Sequence, residues 1–377
     1  MRTGESCAVA STQDALYSEI DLDLSWSERE LPERERTKHV HRLHPYLGKF
    51  IPQLVETLLD RYVARAGHVL DPFAGSGTTL VQALESGVDA TGVDIAAFNC
   101  LLMRVKTQHY NLFVLERELR DVVSRIDGAH ADAKPSRYLR DWFAPQAARE
   151  LLGFRELVAE YEHRDVLRVI LARAARSARR TTHFDLDMPR VPQVGPYWCH
   201  KHKRECRPVE QARPFLKRYT LDTLTRIKQF AKLRGRNRDA HVVHGDARDV
   251  DLGRAFDGVV TSPPYPGLID YHEQHRAAYE LLGLDDLREL EVGAAAAGTS
   301  RAALAAYGEG IAAVLARARE SLRPGGAVVI VVNDRRDLYP AILEQAGLRL
   351  EQRLRRHVNR RTGRRAGEFF EEVLVAR

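Results

Sequence analysis

Thr261-Ser262-Pro263-Pro264-Tyr265 sets a small hydroxyl, two rigid prolines and an aromatic ring directly after residues 256–260, an apolar run that reads as a buried strand. Pro266-Gly267 follows as a turn. Open α/β sheets put their ligand chemistry at the C-terminal ends of strands. The prolines fix φ and have no N–H, so the stretch is stiff and offers carbonyl acceptors. A hydroxyl, a carbonyl and a stacking ring together suit a planar ring that carries an amine. Such an amine is a poor nucleophile, because its lone pair is delocalised into the ring. Acceptors on its protons favour a pyramidal nitrogen with a localised lone pair. Positioning and aligned dipoles then supply much of the acceleration.

Asp71-Pro72-Phe73-Ala74-Gly75-Ser76-Gly77-Thr78-Thr79 is a second candidate. Its glycines let backbone approach a ligand at the start of a helix. Asp94 ends the next expected strand, where a carboxylate can accept from both hydroxyls of a ribose. The dinucleotide fingerprint G-x-G-x-x-G is incomplete, since Gly75-x-Gly77 is followed by Thr78-Thr79-Leu80. A nicotinamide dehydrogenase is therefore disfavoured. An acid at the loop entrance suits a cationic ligand, which points to S-adenosyl-L-methionine.

The elements that must hold these residues read as a doubly wound α/β chain. Strands are expected at 68–71, 89–93, 241–246, 256–260 and 327–332, and helices at 78–86 and 96–106. Ser300 is placed to cap an Ala-rich helix to about residue 321, ended by Arg323-Pro324-Gly325-Gly326. Arms at 348–358 and 368–375 make a C-terminal antiparallel hairpin. Residues 1–37 read as a loosely ordered lead-in, and 38–110 with 237–377 as the catalytic domain. Residues 111–236 form a mostly helical insertion with amphipathic stretches at 112–126, 151–157, 166–178 and 221–233.

The net charge is +6, but residues 173–236 hold 17 Lys and Arg against 5 Asp and Glu. A second basic run is Arg353, Arg355, Arg356, Arg360, Arg361, Arg364 and Arg365. Concentrated positive charge is the footprint of a polyanion binder. No apolar run reaches membrane-spanning length and no secretory signal is visible. Four scattered cysteines fit reduced thiols in a cytoplasmic setting. Cys199, His202 and Cys206, with His183 or His200, could make a tetrahedral metal set. No C-x-x-C pair supports it, so a basic loop with ordinary thiols is preferred and no metal is expected.

The chain resembles the amino-methyltransferases of DNA, which modify cytosine N4 or adenine N6. Three ordered blocks carry the likeness: residues 44–52, close to H-P-Y-x-x-K-F-x-P; residues 71–79, close to D-P-F-x-G-S-G-T-T; and Ser262-Pro263-Pro264-Tyr265. The resemblance implies a class I methyltransferase, Rossmann-like fold with S-adenosyl-L-methionine as cofactor. It implies that Asp71, Phe73, Gly75, Gly77 and Thr78 surround the methionine part, that Asp94 holds the ribose, and that Asp246 meets the adenine. Lys49 and Phe50 would close over the cofactor. Ser262 and the Pro263 carbonyl would accept from the target amine, and Tyr265 would stack on a base flipped from double-stranded DNA. Ser at the first catalytic position favours cytosine N4 over adenine N6. The family's Pro-Ala after H-P-Y is Leu47-Gly48 here.

The insertion is the candidate target-recognition region, with Lys201, Lys203, Arg204 and Arg207 as expected phosphate contacts. A cognate restriction enzyme is a possible partner. Asp270, His272, Glu273 and His275 either line the target pocket or form a polar helix face, and Asn333 and Asp334 stand in the same position. The alternatives are an RNA amine methyltransferase with the same pocket, and a non-catalytic DNA-binding module. The second would have eroded cofactor residues, whereas here both blocks are intact.

Overall fold

The computed structural model describes residues 20–27, 29–48, 50–180, 191–199, 202–253, 255–358 and 369–377. Among them the strands are β1 (His68–Asp71), β2 (Asp89–Asp94), β3 (Tyr197–Cys199), β4 (Arg204–Cys206), β5 (Ala240–His244), β6 (Phe256–Thr261), β7 (Leu322–Val332), β8 (Leu350–His357) and β9 (Phe370–Ala376). Seven of these make one sheet in the order β5-β2-β1-β6-β7-β9-β8. The first five are parallel, and β9 runs antiparallel between β7 and β8. The strand order reverses between β1 and β6, which opens a crevice at their C-terminal ends.

The principal helices are α1 (Pro52–Tyr62), α2 (Thr78–Glu85), α3 (Ala97–Thr107), α4 (Leu112–Arg125), α5 (Pro145–Val158), α6 (Arg164–Ala178), α7 (Arg213–Ala231), α8 (Arg301–Glu320) and α9 (Tyr339–Gln345). Side chains alternate across a strand, so each strand feeds two cores. Val69, Val260, Val329 and Val373 pack with α1, α2 and α3 on one face. Leu70, Val259, Val328 and Leu374 pack with α8 and α9 on the other. The insertion's helices lie on the outer side of α2 and α3. Val81, Leu84, Phe98 and Leu102 share a third core with Leu119, Leu151, Ile170 and Phe230, and with Ala277–Leu281 of the short helix Arg276–Leu282. The insertion is thus a further layer built onto the sheet domain.

Several boundaries differ from expectation. The lead-in is not loose where described: Leu24 is fully buried, Ile20 bridges Arg355, and Arg61 pairs with Asp21 at 2.8 Å and Asp23 at 3.1 Å. Helix α7 begins at Arg213 rather than near 221, since Pro214 suits a helix's first turn. Arg323-Pro324-Gly325-Gly326 does not merely stop α8. It lies within β7, in the register shift between the Phe256–Leu322 and Gly258–Ala327 pairs, with its residues half-buried or exposed. Ser300 does cap α8, accepting from Ala303 N at 3.2 Å. The stretch around Trp198 and Cys206 is a two-stranded antiparallel ribbon rather than a loop.

Much of the basic cluster is spent inside the fold. Arg173 and Arg226 share Asp222 at 2.6 and 2.7 Å, and at the surface Lys217 is paired with Asp127 at 2.6 Å. Arg234 is buried, donating to the Thr107 and Arg238 carbonyls. In the C-terminal run Arg356 is buried on Glu371, and Arg353 pairs with Glu372 and Asp337. Residues 360–365 lie outside the described set. Lys203, Arg204 and Arg207 stay exposed.

Candidate active site

The loop between β1 and α2 is built by one acid. Asp71 ends β1, is buried, and accepts from Phe73 N at 3.1 Å, Thr79 Oγ1 at 2.6 Å and Thr261 Oγ1 at 2.7 Å. It fastens the loop, the first turn of α2 and the end of β6 to one another. Burial pushes its carboxyl up to about 6 against those three donors. From the other side Lys106, itself buried, donates to the Ser76 carbonyl. Gly75 and Gly77 take φ of +51° and +77°, which side chains resist. A methyl group on Gly75 would lie 2.9 Å from Tyr46 Oη, and one on Gly77 2.8 Å from Met103 Cγ.

Asp94 ends β2 and faces this loop. It accepts from Gly75 N at 2.8 Å, Ala96 N at 2.8 Å and Asn99 Nδ2 at 3.0 Å. Burial raises its carboxyl to about 7, against these donors and with the Glu291 charge adding to the rise. A cleft of about 880 Å³, part of it open solvent, runs between Asp94 and the end of β6. Phe50, Phe73, Gly75, Thr78, Asp94, Asp246, Ser262 and Pro264 all line it. The two candidate blocks therefore share one cavity.

Other expected residues stand differently. Asp71 and Gly77 are not among the lining residues and act from behind the loop. Asp246 does line the cleft, but Arg248 grips its carboxylate with Nε and Nη2. Those bonds outweigh burial and hold Asp246 below the usual range. Pro263 is buried, and the Pro264 carbonyl accepts from Tyr307 Oη at 3.0 Å. Tyr265 is half-buried outside the cleft, and its hydroxyl donates to Glu371 at 3.4 Å. Lys49 and Lys201 lie outside the described residues.

Asp270 caps a helical turn by accepting from Glu273 N at 2.8 Å, and Glu273 is a partly exposed ion-pair partner of Arg276 and Arg288. His275 is buried against the Tyr46, His44 and Phe98 rings, and burial with the nearby Arg176 and Arg179 charges drives its pKa well below the ordinary value. His272 is buried and bonds Glu291 through Nδ1. Asp334 caps α9 through Leu338 N and Tyr339 N, while Asn333 donates to the Phe370 carbonyl.

Sequence reasoning missed Tyr46, Asn99, Tyr271 and Glu291, all of which line the cleft. Tyr46 stacks on Tyr271 with ring centroids 5.5 Å apart and accepts from Asn99 Nδ2 at 3.2 Å. Tyr46 belongs to the block at 44–52, and Asn99 sits one turn after the strand-end acid, so both had a signal. Tyr271 lies among the residues read as a polar helix face or pocket lining, and Glu291 comes from a stretch that carries no motif.

S-adenosyl-L-methionine fits this cavity. Buried Ser76 Oγ, Thr78 Oγ1, Asn99 Oδ1 and Glu291 Oε2 carry no hydrogen bond within the protein and border the cleft. Phe50, Phe73, Ile95, Ile269 and Val292 supply apolar walls for a purine. Asp94 and Glu291 supply two acids for a cationic ligand.

The sheet order and this site define a class I methyltransferase. A family model described as DNA methylase (N6_N4_Mtase) matches residues 11–103. The type II methyltransferase M.MjaII of Methanocaldococcus jannaschii is 35% identical over 450 residues, spanning 96% of this chain and 84% of that protein. M.BsoBI of Geobacillus stearothermophilus is 24% identical, over 68% of this chain and 55% of its own. M.MvaI of Kocuria varians is 23% identical, over 60% and 53%. The chain thus spans most of the first relative and about half of the other two. It belongs to the type II DNA methyltransferases of the N4/N6 amino group, with S-adenosyl-L-methionine as methyl donor. No helix among the described residues is long and apolar enough to cross a membrane.

Proposed function

We propose that this protein is a site-specific DNA methyltransferase that methylates the N4 amine of a flipped cytosine in double-stranded DNA. The observation that carries the reading is the shared cleft, in which Ser262 and Pro264 stand with Asp94, Gly75 and Asp246. When bound, S-adenosyl-L-methionine supplies an electrophilic methyl on a positive sulfonium. Asp94 accepts from the ribose, and Glu291 and Asp94 together favour the ligand's charge. Phe50 and Phe73 wall the cofactor off from water. Ser262 Oγ and the Pro263 carbonyl accept from the amine protons and localise the nitrogen lone pair. Tyr265, anchored by Glu371, offers a stacking face for the extruded base.

Ser262 offers a hydroxyl where the resemblance associates adenine N6 enzymes with the carboxylate or carboxamide of Asp or Asn, which supports cytosine. The exposed ribbon residues Lys203, Arg204 and Arg207 contact phosphates and position the duplex.

Incubation with labelled S-adenosyl-L-methionine and mixed-sequence duplex DNA, followed by digestion to nucleosides, tests the reading. Label is expected in N4-methylcytosine. Label in N6-methyladenine overturns the choice of base, and label in neither, with cofactor binding intact, overturns the DNA reading. Tyr265→Ala is expected to lower transfer at least about 100-fold while leaving cofactor affinity unchanged.

A further inference from the structure

The two-stranded ribbon of the insertion carries donor atoms that the methyl-transfer site does not use. Tyr197 pairs with Cys206 and Cys199 with Arg204. Cys199 and Cys206 therefore lie diagonally on one face of the ribbon, while Trp198 and Glu205 take the other. His202 lies in the turn leading into β4, followed by Lys203 at φ +50°. That turn folds the imidazole back over the cysteines. The Sγ of Cys199, the Sγ of Cys206 and a ring nitrogen of His202 all lie within 4.8 Å of one another. His202 Nδ1 is 3.5 Å from Cys206 Sγ.

That last distance is informative. Zinc holds thiolate sulfur at about 2.3 Å and imidazole nitrogen at about 2.0–2.1 Å, so the nitrogen–sulfur edge of a tetrahedral site is about 3.5 Å. An acidic cluster would suit a hard cation. Two sulfurs and one imidazole instead select a borderline-soft ion. Cys199 is buried and Cys206 half-buried, whereas His202 is exposed, so an ion would be held at the ribbon's surface with a protected inner sulfur.

We propose that Cys199, His202 and Cys206 form a site for a zinc-class divalent cation, leaving the fourth position to water or another donor. Three-residue strands have little core of their own, and a bound ion would fix their register and the direction of Lys203 and Arg204. The coupling to DNA rests on the ribbon's proposed phosphate contacts. The metal site does not, so either can fail without the other.

The test uses the full chain, produced with zinc supplied, kept reduced, and passed over a chelating resin. Elemental analysis is expected to give about one zinc per chain, falling below about a tenth in Cys199→Ala and Cys206→Ala. Circular dichroism and thermal melting establish that each variant is folded. Cobalt reconstitution gives a second readout, in which the wild type should show a thiolate-to-cobalt charge-transfer band and tetrahedral visible bands. Both should vanish in Cys206→Ala, and the visible bands should shift in His202→Ala. Less than about a tenth of an equivalent of zinc in the wild type with no cobalt–thiolate band overturns the site. So does a Cys199–Cys206 disulfide found by peptide mapping of a wild-type sample purified without reductant, since those two sulfurs then bond to each other rather than to an ion. Metal content that is the same in the wild type and both cysteine variants overturns it equally.

Discussion

Asp94 and Asp71 look alike in sequence, each an acid at the tip of a parallel strand, yet they do different work. Asp71 spends its oxygens on Phe73, Thr79 and Thr261, whereas Asp94 holds the loop through Gly75 and still faces the cleft. Asp71→Ala removes the acceptor of the buried Thr261 hydroxyl and leaves Thr79 Oγ1 only the longer bond to the Val260 carbonyl at 3.3 Å. Chemical denaturation should show a loss of about 2–4 kcal/mol. Burial raises both carboxyls, Asp71 to about 6 and Asp94 to about 7. The folded chain then binds more protons than the unfolded one between about pH 4 and about pH 7. The stability that these groups contribute is complete below about pH 4 and lost as pH rises through about 6 to 7. Cofactor binding should respond in the opposite sense, because ribose hydroxyls donate best to a carboxylate. Calorimetric affinity for S-adenosyl-L-methionine should climb by up to about tenfold per pH unit below about pH 7 and level off above it. Asp94→Asn should bind more weakly and show no such rise, and a slope that persists in the variant would sink the assignment.

At the scale of elements, the parallel strands and the loop after β1 were legible because buried strands are short apolar runs closed by Asp or Gly. The ribbon was not, since three-residue strands lack enough alternation to register. Nor was the full extent of β7, where Pro324 argued for a break but lies within a register shift. In the site, Asp94, Ser262 and the glycines could be read from their blocks, whereas Tyr271 and Glu291 reach the cleft only through tertiary folding. Gly75→Ala forces a side chain into positive φ and against Tyr46, so stability should fall by about 1–2 kcal/mol and cofactor affinity with it. On the ribbon, Lys203→Ala with Arg204→Ala should leave cofactor affinity unchanged and weaken DNA binding. The slope of log affinity against log salt should fall by about 2 if both touch phosphate. An unchanged slope would move the phosphate contacts elsewhere.

For the whole molecule, the basic insertion is a lesson in how charge counts mislead. Its excess of Lys and Arg suggested a surface, yet Arg173, Arg226, Lys217 and Arg234 bind partners within the protein. Composition cannot separate cations that face solvent from those that tie helices together. The shared core of α2, α3 and the insertion also predicts mechanical unity. Thermal unfolding should be a single transition followed alike by near- and far-ultraviolet circular dichroism. Replacing residues 111–236 by a short linker would expose Phe98, Leu101 and Leu102 and should give insoluble protein.

The N-terminal segment has a consequence at the rim of the sheet. β8 is the last strand, and its outer side would present a row of unpaired backbone donors and acceptors. Asp21 N reaches the Arg355 carbonyl at 2.8 Å, and His357 N reaches Ser25 Oγ at 3.1 Å. Those contacts occupy the rim that another chain would otherwise extend by strand addition. The segment thus guards colloidal behaviour as well as fold. A chain lacking residues 1–27 should self-associate in light scattering at concentrations where the full chain scatters as a single species.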